Sequence, residues 1–133
     1  MVLQVVQWNC RSIYGKHPKL KHYLSQLAPL PDLLCLQETH LSCKYQPQLP
    51  RYTILRKDRP PHFGKSGELC ICVKHSIAYT QVTIPSQHGV ETVGIKINDV
   101  HIFNVYNPPN NNLDTTILNQ MVRHKEGYYM RRF

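Results

Sequence analysis

Three places in the chain set polar residues directly after short apolar, strand-like runs: Gln7-Trp8-Asn9, Gln37-Glu38-Thr39 and Tyr106-Asn107. A lone carboxylate beside an amide oxygen suits Mg²⁺, which takes hard oxygen ligands and keeps several of its waters. Taken singly, each residue has a plainer use. A glutamate at a strand end is ordinarily a solvated loop residue, an asparagine there caps a turn, and a tyrosine is ordinarily a core or rim aromatic. Other chemistries find less support. The eight histidines show no HxxxH spacing or Cys/His pairing for zinc, and no serine sits in a GxSxG elbow.

Whether these residues meet depends on the elements that carry them. Residues 3–7 read as a strand, because β-branched and large apolar residues fill a short run with no helical period. Pro18 suits a first helical turn, and Leu20, Tyr23, Leu24 and Leu27 recur at helical spacing, with Pro29 and Pro31 closing the helix. Residues 32–37 (DLLCLQ) then read as a strand buried on both faces. Two strands joined by a helix are parallel if they share a sheet, so their carboxyl ends fall on one edge. Asn9 and Glu38 are therefore expected to be neighbours on the edge where α/β sites commonly form.

Strands are further expected over 52–56, 69–74, 77–84, 91–97 and 100–106, separated by short turn-forming segments that favour antiparallel hairpins. Asn107 to Asn112 (NPPNNN) cannot extend a strand, and residues 113–122 suggest a helix capped by Asn112 or Asp114. The basic, aperiodic tail 123–133 is expected to fray.

Composition sets the frame. The 133 residues, 41% hydrophobic, suit one domain, and 16 Lys and Arg against 8 Asp and Glu leave a net charge of +8 that favours polyanionic partners. No apolar run nears the roughly 20 residues that span a bilayer, and the start lacks a signal peptide's features, so an intracellular protein, nuclear or cytoplasmic and not secreted, is expected. Five cysteines, odd in number and without a CxxC pair, argue for reduced thiols. Cys70 and Cys72, alternating onto one strand face, read as packing residues.

With these elements in place, Trp8-Asn9-Cys10-Arg11-Ser12, Pro31 through Leu41 (PDLLCLQETHL) and Asn104-Val105-Tyr106-Asn107-Pro108-Pro109 resemble the first three motifs of the endonuclease/exonuclease/phosphatase superfamily. Within it they are most similar to the apurinic-type endonuclease domain of non-LTR (LINE-like) retrotransposons. The resemblance implies a four-layer α/β sandwich, here its N-terminal half, with a βα repeat leading into a mostly antiparallel sheet over residues 2–122. It implies divalent-metal-dependent phosphodiester hydrolysis on DNA, with one Mg²⁺ or Mn²⁺ site, no small-molecule cofactor and no membrane. Glu38 matches the metal-binding glutamate, Asn9 the asparagine beside metal and phosphate, and Tyr106 the tyrosine that hydrogen-bonds the phosphate. Arg11 and Asn107 are the accompanying candidates for nucleic-acid contact. Mg²⁺ on one carboxylate would polarise a phosphoryl oxygen, while a phenol and an amide donate to non-bridging oxygens.

Two later motifs of that family do not occur in this sequence. One is a Gly-Asp-x-Asn segment, whose aspartate orients the attacking water; the other is a Ser-Asp-His-type segment, whose histidine contacts the phosphate. The turn Phe63-Gly64-Lys65-Ser66-Gly67-Glu68 also carries a lysine and a glutamate where the family favours small residues. The expectation is a partial metal-binding edge with low turnover, on a chain that exposes the apolar inner face of one sheet. The alternative is an inactive, transposon-derived chain that binds nucleic acid non-specifically through Arg51, Arg56, Lys57, Arg59, His62 and Lys65 and its basic tail.

Overall fold

The apolar run near the start becomes strand β1 (Val5–Asn9), helix α1 (His17–Ser25) follows with Pro18 in its first turn, and β2 (Leu33–Gln37) returns alongside β1. These elements belong to a computed structural model that describes residues 2–13, 16–40, 48–57, 69–84, 90–107 and 119, and the backbone of 127–132. β1 and β2 are parallel, in register from Val5↔Leu33 to Asn9↔Gln37. That ladder carries β1 two residues beyond the expected 3–7, because β2 offers it partners up to Gln37. α1 buries Leu20 and Leu24 against the sheet and keeps its lysines outside.

β3 (Tyr52–Lys57) and β4 (Leu69–Lys74) complete a first sheet of order β1-β2-β4-β3, in which β4 runs antiparallel to both neighbours. β5 (Thr80–Val82), β6 (Glu91–Ile97), β7 (Val100–Tyr106) and β8 (Gly127–Arg132) form a second sheet in that order. The strands expected as a single meander are thus divided between two sheets after β4. The strand expected over 77–84 pairs only from Thr80 to Val82. β6 and β7 join through Asn98-Asp99, with Asn98 at φ 53°, a left-handed position that asparagine tolerates in a tight hairpin. β8 lies parallel to β7, where a fraying tail is expected from composition; Tyr128 and Tyr129 are strand-favouring residues, and the ladder supplies the backbone partners that the tail would lack alone. The helix expected over 113–122 lies outside the described residues except for Asn119, as does the 63–68 turn.

Alternation along the strands gives each sheet two distinct faces. Leu33, Cys35, Leu69, Ile71 and Val73 of the first sheet pack against Val93, Ile95, Ile97, Ile102 and Tyr106 of the second. Leu34, Leu36, Cys70 and Cys72 face the other way, with Cys10, Leu20, Leu24 and Tyr52. The expectation of an exposed inner face is therefore corrected. Leu33, Cys35, Ile71, Val73 and Ile95 are all 0% exposed, because the strands after β4 build the opposing sheet within this chain. Cys70 and Cys72 take the packing role expected of them, and Cys10, Cys35, Cys70 and Cys72 form no disulfide among the described residues.

On the outer face of the second sheet, Gly94 lies opposite Phe103. A Cβ at Gly94 would come within 2.7 Å of the Phe103 ring and 3.0 Å of the Val82 carbonyl oxygen, so backbone as well as ring would have to move. Gly94→Ala is expected to lower stability by about 1–3 kcal/mol through overpacking. A urea titration compared with wild type checks this.

Burial pushes the Cys10 and Cys35 thiols from 9.0 up to about 12; the neighbouring Cys70 adds to both, and at Cys10 Lys16 opposes the shift while Glu38 adds to it. The Tyr52 phenol, which donates to the Pro31 carbonyl oxygen at 2.7 Å, is likewise raised by burial to about 12. The folded state thus holds protons that the unfolded chain releases. The stability contributed by these raised groups is complete below their ordinary values and falls as pH climbs from about 9 to about 12. The expected loss is about 1 kcal/mol per pH unit for each thiol inside that window, read from denaturant midpoints.

Candidate active site

Asn9, Glu38 and Tyr106 stand at the carboxyl ends of β1, β2 and β7. Asn9 is the register partner of Gln37, which places it beside Glu38 as the parallel arrangement requires. The loops leaving β1 and β2 then run together: Cys10 donates its N–H to the Gln37 carbonyl, Ser12 to that of Glu38 and Ile13 to that of Thr39, at 2.7 to 2.9 Å. Lys16 Nζ closes the first loop by donating to the Cys10 carbonyl and, at 3.4 Å, to that of Arg11.

Alternation alone would send Glu38 towards α1, because Gln37 faces inward with Leu33 and Cys35. Its left-handed φ of 52° breaks that alternation, and the Tyr106 hydroxyl donates to Glu38 Oε1 at 3.3 Å. Arg11, Ser12 and His40 also take positive φ, at 49°, 84° and 55°. Backbone held in such conformations by non-glycine residues costs about 1–3 kcal/mol each and gathers where function demands a particular direction. Here four such residues lie in the two loops that bound this edge.

Asn9 Oδ1 is buried without a hydrogen-bond partner among the described residues, and Thr39 Oγ1 is in the same condition. An orphaned amide oxygen on the register partner of Gln37 and the half-buried carboxylate of the residue after Gln37 are hard-oxygen donors, of the kind that a divalent cation of the Mg²⁺ class takes. No three His, Cys, Asp or Glu side chains converge as a metal cluster among the described residues.

Asn107 follows β7 directly and is buried at 6% exposure, whereas Arg11 is exposed and makes no side-chain hydrogen bond or ion pair with Asn9, Glu38 or Tyr106 among the described residues. Arg51 is exposed, Arg56 and Lys57 are half-buried, and Arg59, His62 and Lys65 lie outside the described residues. A cavity of about 460 Å³ between β1 and α1, lined by Val6, Trp8, Leu20 and Leu36 among others, opens on the helix face of the first sheet, the opposite face from Tyr106.

Three residues at this edge have no role assigned to them from the sequence. Glu91 begins β6, pairs across the ladder with Tyr106 and is buried at 8% exposure. Gln37 and Asn104 are both 0% exposed and meet between the sheets. Their signal was available: Gln37 ends a mostly apolar strand, Asn104 interrupts one, and Glu91 begins one.

Comparison with known proteins agrees with this architecture. A family model described as the Endonuclease/Exonuclease/phosphatase family matches residues 6–131, and the chain belongs to that family. No match was found among curated proteins. Among solved structures, the 3'-5' exonuclease NExo from Neisseria meningitidis superimposes with a TM-score of 0.68 at 17% identity, covering 98% of this chain and 57% of that one. The endonuclease domain of TRAS1, a telomere-specific non-LTR retrotransposon, gives 0.65 at 13% identity, covering 98% of this chain and 58% of that one. The AP endonuclease LMAP from Leishmania major gives 0.63 at 17% identity, covering 88% and 43%. At these identities the likeness is one of fold, and the chain spans less than two thirds of each neighbour's length. No described helix is long and apolar enough to cross a membrane.

Proposed function

We propose that this chain carries the metal-binding side of a divalent-metal-dependent phosphodiester-hydrolysing site that acts on DNA. The observation that carries this reading is the Tyr106 hydroxyl on Glu38 Oε1 at 3.3 Å, a bond between two sheets at one edge, beside the orphaned Asn9 Oδ1. Glu38 and Asn9 would hold Mg²⁺ or Mn²⁺, which when bound draws charge from a phosphoryl oxygen. Tyr106, already aimed into the site, can turn its proton from Glu38 to a non-bridging oxygen of the phosphate. The left-handed turn at Glu38 would keep the carboxylate facing the position of the ion with no reorganisation, the condition under which such groups act most strongly.

Turnover by this chain is low on the same reading. The residues that orient the attacking water and contact the phosphate from the far side in the family belong to segments this sequence does not contain. Kinship with the retrotransposon endonucleases makes duplex DNA the preferred substrate, and the net charge of +8 supports attraction to it. The test is supercoiled plasmid with Mg²⁺. Slow nicking that vanishes in Glu38→Ala and on chelation is expected. Nicking that persists unchanged in Glu38→Ala would contradict the assignment, and salt-sensitive binding with no metal-dependent cleavage would leave only the non-specific binding role.

A further inference from the structure

We propose that Gln37 and Asn104 act as a pair of positioning residues, a clasp between the sheets that sets where Glu38 and Tyr106 stand relative to each other; for its metal readout this rests on the function proposed above. Gln37 precedes Glu38 in the chain, and Asn104 lies on the same strand face as Tyr106, two residues before it. Gln37 Nε2 donates to Asn104 Oδ1 at 2.7 Å. Asn104 Nδ2 donates to the Leu36 carbonyl at 3.0 Å and to the Cys70 carbonyl at 2.9 Å, so a side chain of β7 is tied to β2 and β4 at once. Gln7 Nε2 donates to Gln37 Oε1 at 3.2 Å and extends the chain of amides to β1. The clasp therefore joins the three strands whose ends carry Asn9, Glu38 and Tyr106.

Packing alone does not explain this pair. Around it the two inner faces are apolar, and residues such as Leu or Met would fill the same space without burying amides. Apolar contacts tolerate small slides of one sheet over the other, whereas directional hydrogen bonds of fixed length between fully buried groups define one alignment. Glu38 and Tyr106 sit on different sheets, so a slide would open the 3.3 Å contact between them directly.

The test compares wild type with the double variant Gln37→Met/Asn104→Leu, which removes both amides and leaves neither partner of the pair orphaned. Two signals are read alongside the thermal melt. The first is Mg²⁺ affinity by calorimetry, with Glu38→Ala as the reference for loss of the ion. The second needs no metal: the NMR resonance of the Tyr106 ζ-carbon, assigned with Tyr106→Phe, and its displacement by Glu38→Gln. The expected result is a double variant that melts cooperatively, binds Mg²⁺ about 10-fold to 100-fold more weakly, and no longer transmits Glu38→Gln to the Tyr106 resonance. A folded double variant in which Glu38→Gln displaces that resonance as it does in wild type overturns the proposal. Should wild type and Glu38→Ala bind Mg²⁺ alike, the metal reading fails while the tyrosine signal still decides the clasp. If the double variant does not fold, Gln37→Met alone is read in the same way. Loss of cooperative folding in both would make the pair a folding element and overturn a positioning role.

Discussion

Plasmid nicking by this chain in Mg²⁺ is expected to be at least about 10²-fold slower than that of a family member carrying the Gly-Asp-x-Asn and Ser-Asp-His-type segments, since each positioned catalytic group ordinarily contributes about that much. The described carboxylates support this expectation by their locations. Asp32 directly precedes β2 at the end away from Glu38, where it accepts the Gln4 N–H at 2.9 Å and pairs with Lys74 at 3.2 Å. Asp99 lies in the β6–β7 hairpin, at the far end of β7 from Tyr106. Neither can activate a water beside Glu38. Glu91 is the other described glutamate at the site's edge, and it is buried beside Tyr106. Supplying the absent segments on a second polypeptide should raise nicking, and no change in rate on adding them would argue that the edge built by β1, β2 and β7 is not competent. Initial rates of supercoiled-plasmid loss provide the comparison.

Ile71→Ala is expected to cause one of the largest losses of stability that a single truncation in the core can produce. Ile71 is 0% exposed at the middle of β4, opposite Cys35 on one side and Leu55 on the other, and it belongs to the cluster between the two sheets. Truncating a fully buried isoleucine removes its transfer energy and leaves a cavity, together about 2–5 kcal/mol. A single domain has about 5–15 kcal/mol in total, so much of the margin would go. The residue packs against both sheets, so little of the cavity can close by local collapse. Circular-dichroism melts should show a large fall in midpoint, whereas Lys96→Ala, at an exposed position of β6, should change stability by no more than about 0.5 kcal/mol.

Much of the first sheet was legible because its signals are local. Proline at the helix start, leucines at helical spacing and a short fully apolar strand led to α1, β2 and the parallel placement of Asn9 beside Glu38. The hairpin of β6 and β7 was legible for the same local reason, two turn residues between two apolar runs. The division between sheets was not, since nothing in the turn after β4 distinguishes a hairpin from a crossing to the opposite sheet. Glu38's direction was hidden as well: its type gives no hint of a left-handed φ, which is imposed by the hydrogen bonds that bind the loop after β1 to the loop after β2. The meeting of Tyr106 with Glu38 came only through family resemblance, because it spans 68 residues and two sheets. Gln37 and Asn104 escaped for a related reason. Gln37 reads as one of a polar run at a strand end and Asn104 as a polar interruption of an apolar strand until the sheets are stacked, when each becomes the other's partner.

The proposed metal site is tested most directly by titrating the purified chain with Mn²⁺ and following the free ion by electron paramagnetic resonance, with Glu38→Ala alongside. Saturable binding of one ion by wild type, competed by Mg²⁺ and weakened at least about 10-fold in a Glu38→Ala protein with an unaltered melt, is the expected result. Equal Mn²⁺ binding by the two proteins would contradict the assignment of Glu38 as the metal-holding carboxylate, and with it the reading of the β1, β2 and β7 edge as a phosphodiesterase site.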